Sequence, residues 1–401
     1  MARDKIKKDY ILITSSNFPF GGAGANYLNL FCRGLKENQK NISVWLLKGF
    51  AFGPHKTNDT RKNIFLEEIP YTYLSSPQRP ISKFKKIKKD IVSLTRLVIY
   101  LASLLKRRHS TSILIYNNEL LFNIPIFIIS KLLGIKIITF VPEFYDRSSF
   151  EGSFLKKLSW YGFLINFNYL NRKSHRLIIF SYFLKEIYLN HGVKETKIIV
   201  QPNLTDFDFW QTDEGEIKYT LGYSGTPSLK DGLFDLLTAI SRLKAENKHI
   251  TLLIIGDSTF GRSLIPDLQI LCESLNISEL VTFTGLMDIE QVKRLLSQCK
   301  ILTLTRPNII QTQAGFPTKL GEYFASGKQI LVTNFGDISR YFIPMKEIVT
   351  AECSNINDIS DKLKWMLQHP EESEQIRKAG YLKAKQLLSY KESLDRIINE
   401  I

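Results

Sequence analysis

Short apolar runs separated by helical stretches constrain this fold most, and the alternation occurs twice. In the first half, strands are expected at Tyr10–Ser15, Ile42–Leu47, Ile113–Tyr116, Lys136–Val141, Leu177–Ser181 and Lys197–Gln201, with a helix from about Ala25 to Glu37 after the first. Pro202-Asn-Leu-Thr-Asp206 ends the pattern, and a polar segment to about Lys218 reads as an interdomain linker. The alternation then restarts, with strands expected at Tyr219–Ser224, Thr251–Gly256, Val281–Thr284, Ile301–Thr305 and Gln329–Thr333. Runs of this kind indicate parallel sheets with crossover helices. A length of 401 residues suits two such domains. The expected class is therefore α/β, two doubly wound domains whose strand carboxyl ends line one cleft, the place where ligands of such sheets bind. The expected boundaries are 1–205, 206–380 and a charged helical tail, 381–401.

Charge is divided unevenly. Residues 1–200 carry 32 Lys and Arg against 13 Asp and Glu, a balance of +19, whereas the remainder carries 22 against 26. A basic first domain points to an anionic partner such as acidic lipid, a lipid-linked phosphate or nucleic acid. No nucleic-acid recognition motif is present, and acidic residues interrupt the basic regions, which argues against nucleic acid. No apolar run approaches the roughly 18 residues of a spanning helix, and Met1–Lys8 lacks the apolar stretch of a signal peptide. Cys32, Cys272, Cys299 and Cys353 are scattered without metal-ligand spacing, which fits reduced thiols in a cytoplasmic protein and no metal site.

The stretch Ala314-Gly-Phe-Pro-Thr-Lys-Leu-Gly-Glu322 carries the clearest chemistry. It follows a strand and a loop and opens a helix expected over Pro317–Ala325, with Pro in the first turn and Gly327 after the end. A helix start offers free N–H groups and a positive dipole end, and Lys319 adds charge beside it. That combination suits a diphosphate, while Glu322, about one turn further on, suits ribose hydroxyls.

Taken together, the chain resembles the retaining, nucleotide-sugar-dependent GT-B glycosyltransferases of family 4, most closely from Tyr219 to Phe342. The resemblance implies two Rossmann-like domains, an acceptor-binding first and a nucleotide-sugar-binding second, with the tail helix packing back on the first. It implies that Glu322 binds the nucleotide ribose and that Gly315, Phe316, Pro317, Thr318 and Lys319 hold donor phosphate. The first Glu of the family's Glu-x7-Glu motif is replaced here by Ala314, and Gln311 or Gln313 are the available substitutes. Gly222-Tyr-Ser-Gly-Thr-Pro-Ser-Leu-Lys-Asp-Gly232 resembles the first loop of the donor domain. Gly225, Thr226 and Lys230 would line the phosphates there, although Thr226 stands where the family has Arg. Lys230 would stabilise the leaving diphosphate, and Lys319 is the candidate for the second charge. Gly21-Gly-Ala-Gly24 is either the glycine-rich loop of the first domain, with Gly22 facing donor phosphates, or a tight turn. Glu143 is the first candidate for contacting a sugar and Asp146 the second, since no histidine follows Lys136–Val141. The resemblance implies retention of anomeric configuration, no metal and no cofactor beyond the donor substrate.

Two further segments bear on localisation. Phe84, Ile87, Ile91, Leu94, Val98, Leu101 and Leu105 form one helical stripe flanked by Lys83, Lys85, Lys86, Lys88 and Lys89 and by Lys106, Arg107 and Arg108. Such a helix either packs its stripe on the sheet or lies in an anionic membrane interface. Phe154 to Tyr169 is rich in aromatics and either buried or set among headgroups. The expected function is transfer of a sugar from a nucleoside diphosphate sugar to a lipid-linked oligosaccharide, at the inner face of the cell membrane, in capsule, O-antigen or exopolysaccharide assembly. The alternatives are a non-catalytic GT-B subunit or a nucleotide-sugar epimerase.

Overall fold

The computed structural model describes residues 8–19, 21–48, 64–66, 68–150, 152, 154–212, 215–258 and 262–401. Met1–Lys7, where a signal peptide would begin, lie outside the described residues, as do positions 213–214 of the expected linker. The chain forms two compact units, residues 1–201 with 393–401, and residues 202–392.

The first unit holds β1 (Asp9–Thr14), β2 (Asn41–Leu46), β3 (Ile64–Leu66), β4 (Ile69–Tyr73), β5 (Thr111–Tyr116), β6 (Lys136–Val141), β7 (Arg176–Ile179) and β8 (Ile198–Val200). They form one sheet in the order β3-β4-β2-β1-β5-β6-β7-β8. All neighbours pair in parallel except the edge pair β3 and β4. Four of its helices matter below: α1 (Ala23–Glu37), α2 (Lys83–Ser103), α3 (Leu120–Leu133) and α4 (Phe154–Ile165). The helix Tyr390–Ile398 also reaches this unit. Leu394 is fully buried and sits against α1 at Gly34, where an added Cβ would come within 2.0 Å of its Cδ1. Asn38 and Arg176 complete the seat, through Asp395 at 2.9 Å and the Glu400 carbonyl at 2.9 Å. The return begins at Ser393 rather than at residue 381, because Pro370–Leu388 is committed to the second unit, packed on Thr318–Ala325.

The second unit holds β9 (Tyr219–Ser224), β10 (Leu252–Ile255), β11 (Val281–Phe283), β12 (Cys299–Leu304), β13 (Gln329–Thr333) and β14 (Val349–Ala351), ordered β11-β10-β9-β12-β13-β14 and parallel throughout. Strand β10 is buried along its whole length, as a sheet covered on both faces requires. Part of the expected linker is core here: Phe207 and Trp210 are buried in this unit's apolar cluster. All four cysteines are free thiols.

The helix α2 turns opposite to the packed alternative. Phe84, Ile87, Ile91, Val98 and Leu105 are exposed, and the buried face is Lys89, Ser93, Leu97 and Leu101. Of the stripe, Leu101 is buried and Leu94 packs half-buried against the same cluster. Burial lowers the Lys89 ammonium to about 8, while neighbouring Asp90 pulls it back up, and it donates to the Gln78 carbonyl at 3.3 Å. Phe154–Tyr169 divides: Phe163 and Phe167 are buried, whereas Leu158, Tyr161, Ile165 and Tyr169 face solvent. Among the described residues no helix is long and apolar enough to cross a membrane.

Candidate active site

In the second sheet the strand order reverses between β9 and β12, the first and fourth strands of the unit. Ligands of doubly wound sheets bind outside the strand carboxyl ends at such a point. The residues leaving those two ends are Gly225 after β9 and Arg306 after β12.

Asp231 organises the place. It is 1% exposed, on a short turn before the helix Leu233–Ala245. It accepts from Arg306 Nη2 at 2.9 Å and Nε at 3.2 Å, from Lys319 Nζ at 3.1 Å and from Ser228 Oγ at 2.5 Å. Burial alone would raise its carboxyl, but the Lys319 and Arg306 charges overcome this and hold it well below the usual range. The Lys319 ammonium also lies 4.2 Å over the Tyr223 ring and donates to the Tyr223 hydroxyl. Burial pushes Lys319 down to about 8, with Asp231 restoring part of the loss and Arg306 and Lys230 repelling it further. Arg306 rests 5.8 Å over the Phe335 ring.

Gly225 is required by space as well as conformation. Its φ is +121°, and a Cβ would meet Lys319 Cε at 2.4 Å. Gly225→Ala is expected to cost about 1–3 kcal/mol through backbone strain and to displace the ammonium from Asp231. Chemical denaturation, with nucleotide binding measured in parallel, checks both effects. Thr226 is exposed and donates to the Asp257 carbonyl at 3.2 Å, so it gives no charge where the family has Arg.

The helix starts at Thr318, with Pro317 as its cap residue and not in the first turn, because Pro317 is extended at φ −70° and ψ 124°. Phe316 and Pro317 are buried, and Asn203 holds the Phe316 carbonyl. The N–H groups of Thr318 and Lys319 therefore open the helix without intrahelical acceptors, and Gly315 precedes them. Glu322 follows Lys319 by one turn. Burial raises its carboxyl from 4.5 to about 7, with Lys319 drawing it down, and it has no hydrogen-bond or ion-pair partner among the described residues.

Gly225, Lys230, Lys319 and Glu322 are thus gathered at this edge, and Lys230 is half-buried without a partner among the described residues. Lys319, expected as a second charge for the donor, is already paired to Asp231, and Arg306 joins it there. The sequence reading missed Arg306 and Asp231; the signal was an arginine directly after an expected strand, and the acid inside Lys230-Asp-Gly232. Ala314 is fully buried, so that position presents nothing to a sugar. Gln313 donates to Asn308 Oδ1 at 3.1 Å.

The remaining candidates lie in the first unit. Glu143 follows β6 and accepts a hydrogen bond from Tyr145, whose hydroxyl is pushed up by burial and then by the Glu143 charge. Asp146 is half-buried nearby in the same loop. Gly22 caps α1 with nothing within 4 Å of an added Cβ, whereas Gly24 lies 2.8 Å from the Tyr116 hydroxyl by the same measure. The crowded positions of that stretch are therefore Gly24 and Gly21, where an added Cβ would meet Ala25 Cβ at 2.9 Å, and not Gly22.

Backbone N–H groups and three cations at the switch point of a doubly wound sheet are groups of the kind that can hold a phosphate. Residues 205–383, nearly all of the second unit, match the model of the family described as glycosyl transferases group 1. The second unit is therefore similar to that family, over somewhat less than half of the 401-residue chain. The chain's fold is GT-B, as the similar solved structures show. Anabaena HepE, solved with UDP, is 16% identical with a TM-score of 0.69, over 98% of this chain and 100% of that one. A Rickettsia africae glycosyltransferase is 14% identical with a TM-score of 0.72, over 98% and 97%. A point mutant of S. aureus TarM, solved with UDP among other ligands, is 12% identical with a TM-score of 0.68, over 98% and 99%. No curated protein matches the chain by sequence.

Proposed function

We propose that the protein is a glycosyltransferase that takes its sugar from a nucleoside diphosphate sugar bound at the β9–β12 edge and passes it, with retention, to a hydroxyl of a lipid-linked oligosaccharide at an anionic membrane face, as in assembly of a surface polysaccharide. The carrying observation is the pairing of Arg306 and Lys319 on buried Asp231 next to Glu322, whose carboxyl has no partner among the described residues. A diphosphate set against Lys230, Arg306, Lys319 and the Thr318–Lys319 N–H groups would have its leaving-group charge stabilised by groups already oriented for it. Glu322 would accept from the ribose, and the departing phosphate oxygen would take the acceptor proton. Metal is not needed in this reading because the cations do that work. Glu143 remains the first unit's candidate for a sugar hydroxyl. Anabaena HepE solved with UDP-glucose supports the donor class.

The membrane half of the reading is supported by the exposed apolar residues of α2, with lysines and arginines at both of its ends. Thermal shift with UDP-, GDP- and dTDP-sugars tests the donor: one series is expected to raise the melting temperature by several degrees through preferential binding to the folded state. NMR of the product made from that donor is expected to show the anomeric configuration retained. Product formed without acceptor would instead make the protein an epimerase, and donor binding without any transfer would make it a non-catalytic subunit.

A further inference from the structure

A second basic site lies in the first unit, at the opposite end of the sheet from the carboxyl edge. Lys136 opens β6, His175 precedes β7 and Lys197 precedes β8, so all three stand at strand amino ends. With Lys131 near the end of α3 and Lys173 they line a cavity of about 600 Å³, and no Asp or Glu among the described residues lines it. Lys197 donates to the Ser174 carbonyl at 3.2 Å, and Lys173 lies 5.1 Å over the Tyr169 ring. In the cavity wall, the Ser130 hydroxyl is fully buried with no hydrogen-bond partner among the described residues. Burial and the charges of Lys136, Arg176, Lys197 and Lys8 all depress the His175 imidazolium. Lys8 itself donates to the Ile401 carbonyl oxygen at 3.0 Å. Four lysines line the cavity with no carboxylate among the described lining residues, and a polar atom buried without a partner is costly. Both features point to an anion.

The surroundings say which anion. Ile128, which lines the cavity beside Tyr169, belongs to an apolar row that the sequence did not reveal: Leu121, Ile124, Ile128 and Leu132 along α3, with Leu132 77% exposed. That row lies between α2 and α4, which both contact α3 and carry their own exposed apolar residues. A headgroup phosphate in the cavity would leave its acyl chains at this row.

We propose that the cavity lined by Ser130, Lys131, Lys136, Lys173, His175 and Lys197 binds the phosphate of an anionic phospholipid headgroup and fixes how the first unit rests on the bilayer. This rests on the membrane reading above and goes beyond it by naming a built headgroup site. The test is flotation with phosphatidylcholine vesicles, with and without phosphatidylglycerol. Wild type, Lys136→Gln/Lys197→Gln and the charge-matched Lys85→Gln/Lys86→Gln on α2 are compared, with melting curves confirming that each folds. The pocket pair is expected to lose about tenfold or more in affinity for anionic vesicles, clearly more than the α2 pair. Ser130→Ala is expected to weaken binding at unchanged charge. Equal losses in both pairs would mean diffuse attraction only and would overturn the site while leaving membrane binding intact. Wild type that ignores anionic vesicles would overturn the membrane reading itself. Calorimetric binding of inorganic phosphate without vesicle binding would assign the cavity to a soluble phosphate instead and overturn the lipid assignment.

Discussion

Asp231→Asn is expected to destabilise the protein by about 3–5 kcal/mol, the usual cost of stranding buried charge by removing its partner. Two cations depend on this one carboxylate, and both are largely shielded: the Arg306 side chain is 12% exposed and Lys319 13%. Each keeps only a small contact with water. The variant has one escape. Lys319 is already lowered to about 8 by burial, and Asp231 is the group that keeps it from falling further. Without the carboxylate, Lys319 should shed its proton in the folded state near neutral pH. A lysine whose folded value lies below its unfolded one binds fewer protons when folded, so stability rises with pH up to the unfolded value. The deficit of Asp231→Asn should therefore be larger at pH 6 than at pH 9. Chemical denaturation of both proteins across that range checks it, and a deficit that shrinks toward pH 6 would contradict the assigned ion pairs. In wild type, the depressed Asp231 carboxyl contributes stability above its unfolded value, which is lost as pH falls into the strongly acid range.

Donor affinity is expected to peak between about pH 7 and pH 8. Glu322, raised to about 7, must be ionised to accept fully from ribose hydroxyls, so affinity rises as pH climbs through that value. Lys319, lowered to about 8, must be charged to hold the diphosphate, so affinity in the free protein falls as pH passes it. Glu322→Gln should weaken nucleoside diphosphate binding by roughly 10–100-fold, the range for a lost charge-assisted hydrogen bond, and should abolish the acid limb. Lys319→Arg should move the alkaline limb out of reach. The same Glu322→Gln change has an opposite effect on the empty protein. A carboxyl raised in the folded state costs nothing below its unfolded value of 4.5 and costs more as pH rises to about 7. The variant should therefore be more stable than wild type at pH 8, by at most about 3 kcal/mol, with the gain gone by pH 4. Calorimetric titrations with nucleoside diphosphate and melts across pH separate the two effects. Gain of stability with loss of binding is the pattern of a residue held ready for a ligand.

Most central strands were legible because a strand buried on both faces is written as an apolar run, and β1, β5, β6 and β12 are such runs. The strands missed are β3, β4 and β14, which are short and lie at or next to sheet edges, and β4 carries Pro70. The helix opening at Thr318 was legible through Gly315, Pro317 and Lys319, since each has a local reason to be there. Arg306 and Asp231 do not. They are 75 residues apart, and nothing short of the sheet order brings the β12 end beside the turn after β9. Periodicity likewise disclosed the apolar stripe of α2 but not its direction. Lys89 and Ser93 pack inward there because they have partners, Gln78 for the lysine and the Leu47 carbonyl and Ser75 hydroxyl for the serine.

The seat of Leu394 against Gly34 has a consequence for how the protein is made. Residues 1–201 leave the ribosome first, but the segment that fills their last apolar groove is Ser393–Ile401. At translation speeds of about 5–20 residues per second, the intervening unit takes roughly 10–40 s to emerge. During that interval the basic first unit exists with the groove beside α1 uncovered. Synthesis order and folding order therefore part company in this chain: the unit begun first is the one finished last, and a ribosome that stalls within the second unit leaves the first one open.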